Sequence, residues 1–307
     1  MTKDRPFAAL SRLGAPTDGV FRGTAALAAG VTRKQLTSFL KDGVIERLHR
    51  DTYRLLAVAP SNAQALRAAL LWAGDDVCAA ARSAGEVYGL EGVLAKSPAV
   101  VVAGTNRLRD DRVVVHRATD QSALMPRTYR GFRVTGVEAT LVALAAQLDG
   151  EAFEIACEDA RRRRLTSVPA LRAYVERHGK RGRRGIAALR ALLDELDPVH
   201  PSRSTLEVKA RRLLVAHGIT GFTREFPLEW NGRTYFYDFA FEHDRAILET
   251  NGRRWHDDPV DYEHDNEKWS LPARHGYRLV FATWAKVTQH PDELVAELRA
   301  TLRRPQL

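Results

Sequence analysis

The sequence predicts a multidomain α+β protein: a small helix-and-hairpin module in front, a mixed α/β and helical middle, and a C-terminal α/β domain on a mixed central sheet. The length of 307 residues exceeds what one hydrophobic core usually organises. Apolar periodicity switches between helical and alternating several times along the chain. The segment PVHPS, with Pro198 and Pro201, suits a linker because proline does not continue a helix. The expected domains are 1–60, 61–197 and 202–307.

Residues 24–56 read TAALAAGVTRKQLTSFLKDGVIERLHRDTYRLL. A short Ala-rich helix, a turn at Gly30 and a second helix come first. Thr32 and Gln35 have capping-box spacing, which satisfies free backbone N–H groups at a helix start. Val31, Leu36, Phe39 and Leu40 then fall toward one face, leaving Arg33, Lys34, Thr37, Ser38 and Lys41 outside. Gly43 ends the helix, and IERLH and TYRLL form a hairpin wing about Arg50 and Asp51. A winged helix of this kind enters a major groove with Arg33, Lys34 and Gln35, while Arg47, Arg50 and Arg54 of the wing hold phosphates. A packing-only module that contacts protein is the alternative.

In the middle region an Ala/Leu-rich helix and a second helix near residues 79–88 precede the strand-like AVVVAG, RVVVHRA and FRVTG. Residues 137–197 carry apolar positions at helical spacing, interrupted by the basic loop KRGRRG at 180–185. Beyond the linker the expected order is helix, three strands, helix, strand, helix, with Pro291 near the first turn of the last helix.

With 45% hydrophobic and 28% charged residues and no long apolar run, the chain reads as globular, without a membrane partner. The first residues lack a secretory pattern, so the expected location is the cytoplasm. Cys78 and Cys157 stand far apart, which excludes a disulfide framework and a cysteine zinc site. The scattered histidines match no zinc-ligand spacing, and no phosphate-binding Gly-Lys loop or nucleophile elbow occurs. The net charge of +9 favours polyanionic partners.

Chemistry concentrates in the last third. Asp238 interrupts the apolar-aromatic YFYDFAF, and Glu249 interrupts AILET. A carboxylate in a buried strand is costly unless paired, protonated or bound to a cation. Two on adjacent strands can share one Mg²⁺, or Mn²⁺, which activates water against a phosphodiester. Read singly, Glu207 is a first-turn acid complementing its helix dipole, the other two acids pair with Arg, Asn251 turns the strand, and His256 packs beside Trp255.

The ordered pattern SxxE…YDFAF…ILETNGxxWH…GYRLVFATW resembles the very short patch repair-like endonuclease domain of the PD-(D/E)XK superfamily, from about Ser202 onward. The resemblance implies an acidic centre of Glu207, Asp238 and Glu249, with the metal at Asp238 and Glu249. It also implies a role for His256 near the scissile phosphate. Asn251 departs from the pattern: the wider superfamily has Lys there, and Asn is neither a cation nor a useful base. Lys209 or Lys268 is a candidate to supply that charge from a neighbouring helix. In front, the segment beginning LAAGVTRKQL, followed by RSAGEVYGL and VTGVEATLVALA, resembles the winged-helix abortive-infection (type IV) antitoxin-like family, which implies DNA and a cognate toxin as partners. Two readings follow: a metal-dependent DNA endonuclease, or a non-catalytic DNA-binding regulator of antitoxin type with a degenerate nuclease fold.

Overall fold

The computed structural model describes residues 4–196, 204–251 and 259–302. The chain divides into two compact units, Met1–Leu196 and Asp197–Leu307. Among the described residues, no helix is long and apolar enough to cross a membrane.

The first unit opens with α1 (Asp4–Gly14), β1 (Val20–Arg22), α2 (Gly23–Ala28), α3 (Arg33–Lys41), β2 (Ile45–His49) and β3 (Thr52–Leu55), with the strands in the antiparallel order β1-β3-β2. The capping box of α3 is complete: Gln35 N–H donates to Thr32 Oγ1 at 3.2 Å, and Thr32 N–H donates to Gln35 Oε1 at 2.8 Å. Leu36 and Phe39 are buried against Leu10, Phe21 and Ile45, whereas Leu40, expected on the same face, is exposed at the edge of the stripe. Two elements escaped the sequence reading. β1 spans only Val20–Arg22, too short to display alternation, and becomes a strand by pairing with β3. α1 buries Leu10 completely under the sheet.

The same unit continues with α4 (Asn62–Ala73), β4 (Cys78–Ala79), α5 (Ala81–Tyr88), β5 (Ala99–Ala103), β6 (Val114–Ala118), β7 (Arg127–Tyr129) and β8 (Phe132–Val134). Its five strands run in the order β6-β5-β4-β8-β7. The helix expected near residue 79 starts at Ala81 because Cys78 and Ala79 are drawn into the sheet between β5 and β8. Four helices follow: α6 (Val137–Ala145), α7 (Gly150–Arg162), α8 (Val168–His178) and α9 (Ile186–Glu195). α6 is apolar nearly all round and buried along most of its length, as a helix at the centre of a bundle must be. The basic segment 180–185 is the connection between α8 and α9.

Polar contacts tie the front module to this layer. Arg22 donates to Leu71 O at 3.0 and 2.7 Å, and Gln64 Nε2 donates to Asp18 O at 2.7 Å. His49 Nδ1 lies 2.8 Å from Asp110 Oδ2, and Arg112 contributes its guanidinium and amide to the same carboxylate. The Arg112 guanidinium holds the Asp110 carboxyl well below the usual carboxylate range, against the opposing effect of burial, and the Arg112 amide and His49 add to it. A depressed folded value contributes stability above the ordinary carboxylate pKa of about 3.9, and the contribution is lost as pH falls through the folded value. Asp110→Asn is therefore expected to lower the melting temperature at pH 7. The gap from the parent should narrow steadily below about pH 4. A gap of constant size across that range, followed by circular dichroism, would show that the lock does not work through charge.

The second unit contains α10 (Thr205–Ala216), β9 (Thr223–Trp230), β10 (Arg233–Phe241), β11 (Ala246–Asn251), α11 (Pro259–Arg274), β12 (Arg278–Thr283), α12 (Trp284–Thr288) and α13 (Pro291–Leu302). The sheet order is β12-β11-β10-β9, antiparallel except for the parallel β11–β12 pair. This is the mixed sheet expected from sequence; the short α12 was not. Two apolar clusters flank it: Leu206, Leu214, Phe239, Phe241, Leu248 and Leu298 in one, Leu228, Tyr235, Tyr237, Ile247, Leu271 and Tyr277 in the other. Strand alternation would place Tyr235, Tyr237, Phe239 and Phe241 on a single face. They divide between the two clusters, and the change falls at Asp238.

Candidate functional site

The change of face has a partner on β9. Phe226 pairs with Tyr237 and Arg224 with Phe239, so Glu225 stands opposite Asp238. Glu225 adopts φ 51°, a left-handed conformation that an L side chain enters only at a cost. The local rearrangement collects acids from three elements: Glu207 of α10, Glu225 of β9 and Asp238 of β10. One carboxylate oxygen of each lies within 4.8 Å of one from both others. All three are buried, with relative exposures of 1%, 9% and 8%.

Around this trio the remaining groups are ordered. Glu207 N–H is capped by Ser204 Oγ at 3.1 Å, which fixes the first turn of α10, and Arg224 donates to Glu207 Oε1 at 2.9 Å. Asp238 Oδ2 accepts from Thr250 N–H at 2.8 Å and from Thr250 Oγ1 at 2.5 Å. Glu249 Oε2 accepts from Asp238 N–H at 3.1 Å, and its Oε1 is paired with Lys268 Nζ of α11. Burial first and the Asp238 charge second push the Glu249 carboxyl up to about 7, against the pull of Lys268. With a raised folded value, Glu249 favours the folded state while protonated, and that contribution fades as pH rises from the ordinary carboxylate range through about 7.

A small divalent cation fits this donor set. Mg²⁺ takes oxygen ligands at about 2.1 Å, so ligands of one ion can lie about 4 Å apart. Three buried carboxylates at this spacing repel one another; Arg224 on Glu207 offsets part of that repulsion, and a bound cation would offset more. Such an ion, when bound, would polarise a phosphoryl oxygen and lower the pKa of water. Of the residues singled out in the sequence, the structure thus brings Glu207 and Asp238 together, with Glu249 beside them on Lys268. Asn251 ends β11 opposite Thr283. His256 lies outside the described residues. Lys209 sits over the Trp284 ring at 5.9 Å. Glu225 is missing from the residues singled out in the sequence: in TREFPLEW it stands between Arg224 and Phe226, so no apolar run marks it as Asp238 is marked, and only the register with β10 brings it to the site.

In the front module the six basic and polar candidates separate. Arg33 and Lys34 are exposed in the first turn of α3, and Arg50 is exposed at the β2–β3 turn. Arg47 is exposed, with Nε 3.3 Å from His49 O. Gln35 commits its Oε1 to the capping box. Arg54 does not project from the hairpin as expected: its side chain is only 13% exposed and donates to Glu46 at 2.7 Å and Gln64 at 3.1 Å, which makes it a strut between hairpin and α4.

This geometry defines a helix-and-hairpin module with a cationic first turn on its third helix, joined to a bundle and followed by a separate α/β unit with an acidic centre. The family model described as "Transcriptional regulator, AbiEi antitoxin" matches residues 17–56, which run from just before β1 to just after β3. Among solved structures, the RV2827C protein from Mycobacterium tuberculosis is similar over 68% of this chain and 80% of that one, at 20% sequence identity and a TM-score of 0.46. No curated protein matches the chain.

Proposed function

We propose that this protein is a DNA-binding regulator of antitoxin type whose front module is a winged helix. The observation that carries the proposal is the succession α1-β1-α2-α3-β2-β3, with Arg33 and Lys34 unburied at the start of α3 and Arg50 on the hairpin turn. Residues in the first turn of such a recognition helix enter the major groove, where the long cationic side chains of Arg33 and Lys34 reach base edges and the flanking phosphates, while cations on the wing hold the backbone. The match of residues 17–56 to antitoxin regulators supports the same reading and implies a toxin protein as a second partner.

The test is a fluorescence-anisotropy salt titration on duplex DNA. Each lost phosphate contact lowers the slope of log K against log salt by about 0.9. Arg33→Ala with Lys34→Ala should reduce the slope by nearly twice that and weaken binding about tenfold or more at moderate salt. An unchanged slope would remove α3 from the interface.

The convergence of Glu207, Glu225 and Asp238 favours a second reading for the C-terminal unit: a Mg²⁺- or Mn²⁺-dependent DNA endonuclease centre of the PD-(D/E)XK kind. In it, Asp238 would anchor the ion with Glu207 and Glu225, and Lys268, held by Glu249, would supply the positive charge that Asn251 lacks.

A further inference from the structure

The first unit contains a cavity of about 270 Å³ between α4, α5, the segment 95–98 and the β7–β8 turn. Its apolar wall is formed by Leu66, Val87 and Phe132. The polar groups of the interior are already engaged: Glu86 accepts from Asn62 Nδ2 at 2.8 Å and from Ala95 N–H at 3.0 Å, and Ser83 Oγ accepts from Ala99 N–H at 2.9 Å. Two cations, Lys96 and Arg130, line the same cavity and are exposed. No ion pair holds either one among the described residues. The chemistry is therefore an apolar chamber whose lining carries two cations against the single carboxylate of Glu86, a net positive charge. An apolar cavity of about 150 Å³ accepts benzene, so this one holds a single ring or short chain together with an anionic group.

We infer that this cavity is an effector site for a small organic anion, an apolar body of about one ring carrying a carboxylate or a phosphate. The regulatory part of the inference rests on the DNA-binding reading; the ligand site does not. The walls lead directly to the front module. The face of Phe132 carries the Arg67 guanidinium at 4.2 Å, and Arg67 donates to Asp18 at 2.5 Å just before β1. On α4, between the cavity residues Ala63 and Leu66, Gln64 donates to Asp18 O and accepts from Arg54 of the hairpin. A ligand that moves Phe132 or the start of α4 shifts the supports of β1 and β3, and by linkage DNA must alter ligand affinity by the same factor.

The experiment uses the full chain with 3-phenylpropionate, phenyl phosphate and neutral 3-phenylpropionamide, followed by ligand-observed NMR and thermal melting. At least one anion is expected to bind about tenfold or more tightly than the amide, the size of one lost charge-assisted contact. The stronger anion identifies a carboxylate or a phosphate as the preferred group. Lys96→Gln with Arg130→Gln should erase that preference, and Ala63→Trp, at an exposed helical position of the lining, should abolish binding of all three. Anisotropy with duplex DNA should change by at least about threefold at saturating anion, a modest coupling. Equal binding of amide and anions, no binding of any probe, or full binding to Ala63→Trp would overturn the site. Anion binding with unchanged DNA affinity would overturn the effector role alone. A chain that binds the anions but no DNA at any salt would overturn the regulator reading and leave the ligand site standing.

Discussion

Asp238→Asn is expected to weaken Mn²⁺ or Mg²⁺ binding by more than about a hundredfold, since losses in the groups that merely support metal ligands already cost about 10–100-fold. Any metal-dependent nicking of supercoiled plasmid should disappear with it. Fold should survive, because Asn keeps the carbonyl oxygen that accepts from Thr250 N–H and Thr250 Oγ1. Glu225→Gln, at the residue opposite Asp238, should weaken the ion in the same direction, whereas an Asn251 variant should not. Calorimetry with each cation and a chelator-controlled nicking assay read the two effects separately. Nicking undiminished in purified Asp238→Asn would refute the assignment. Cation binding in the parent without nicking would leave the acidic centre structural and the regulator reading alone.

Gly185→Ala is expected to cost about 2–5 kcal/mol in the first unit, combining about 1–2 for the left-handed backbone with about 1–3 for overpacking. Gly185 has φ 87°, and a Cβ added there would meet Val142 O at 1.9 Å and Ala146 N at 3.2 Å. Those are backbone atoms of a helix whose flanks are buried almost all round, so relief by a local shift is closed off. The loss is a large share of the roughly 5–15 kcal/mol by which a domain is normally stable. Gly182→Ala is the matched control: φ is 82°, but nothing lies within 4 Å. It should show only the conformational cost, about 1–2 kcal/mol. Urea unfolding monitored by a probe in the first unit distinguishes them, and equal midpoints for the two variants would refute the steric argument.

The start of α3 was legible from Thr32 and Gln35 alone, because a capping box closes over three residues and needs nothing distant. The same holds for the strands AVVVA and AILET, the loop at 180–185 and the helix after Pro291, where apolar spacing and proline act within one or two turns. Asp238 and Glu249 could be singled out because an acid in an apolar strand is costly wherever the strand goes. What that acid faces is a different matter. Alternation along YFYDFAF predicts one face for its aromatics, and only the left-handed turn at Glu225 on the neighbouring strand accompanies their division at Asp238. The trio with Glu207, the pairing of Lys268 with Glu249, and the withdrawal of Arg54 onto Gln64 each join residues well separated in the chain. Such contacts depend on register, crossover and helix placement. β1 and β4, three and two residues long, are strands solely because a partner offers them hydrogen bonds. Sequence by itself thus determined where the elements lie and which side chains are too costly to be incidental. Tertiary structure decided which of those side chains meet, because local periodicity records the face a residue seeks and carries no information about the face it finds.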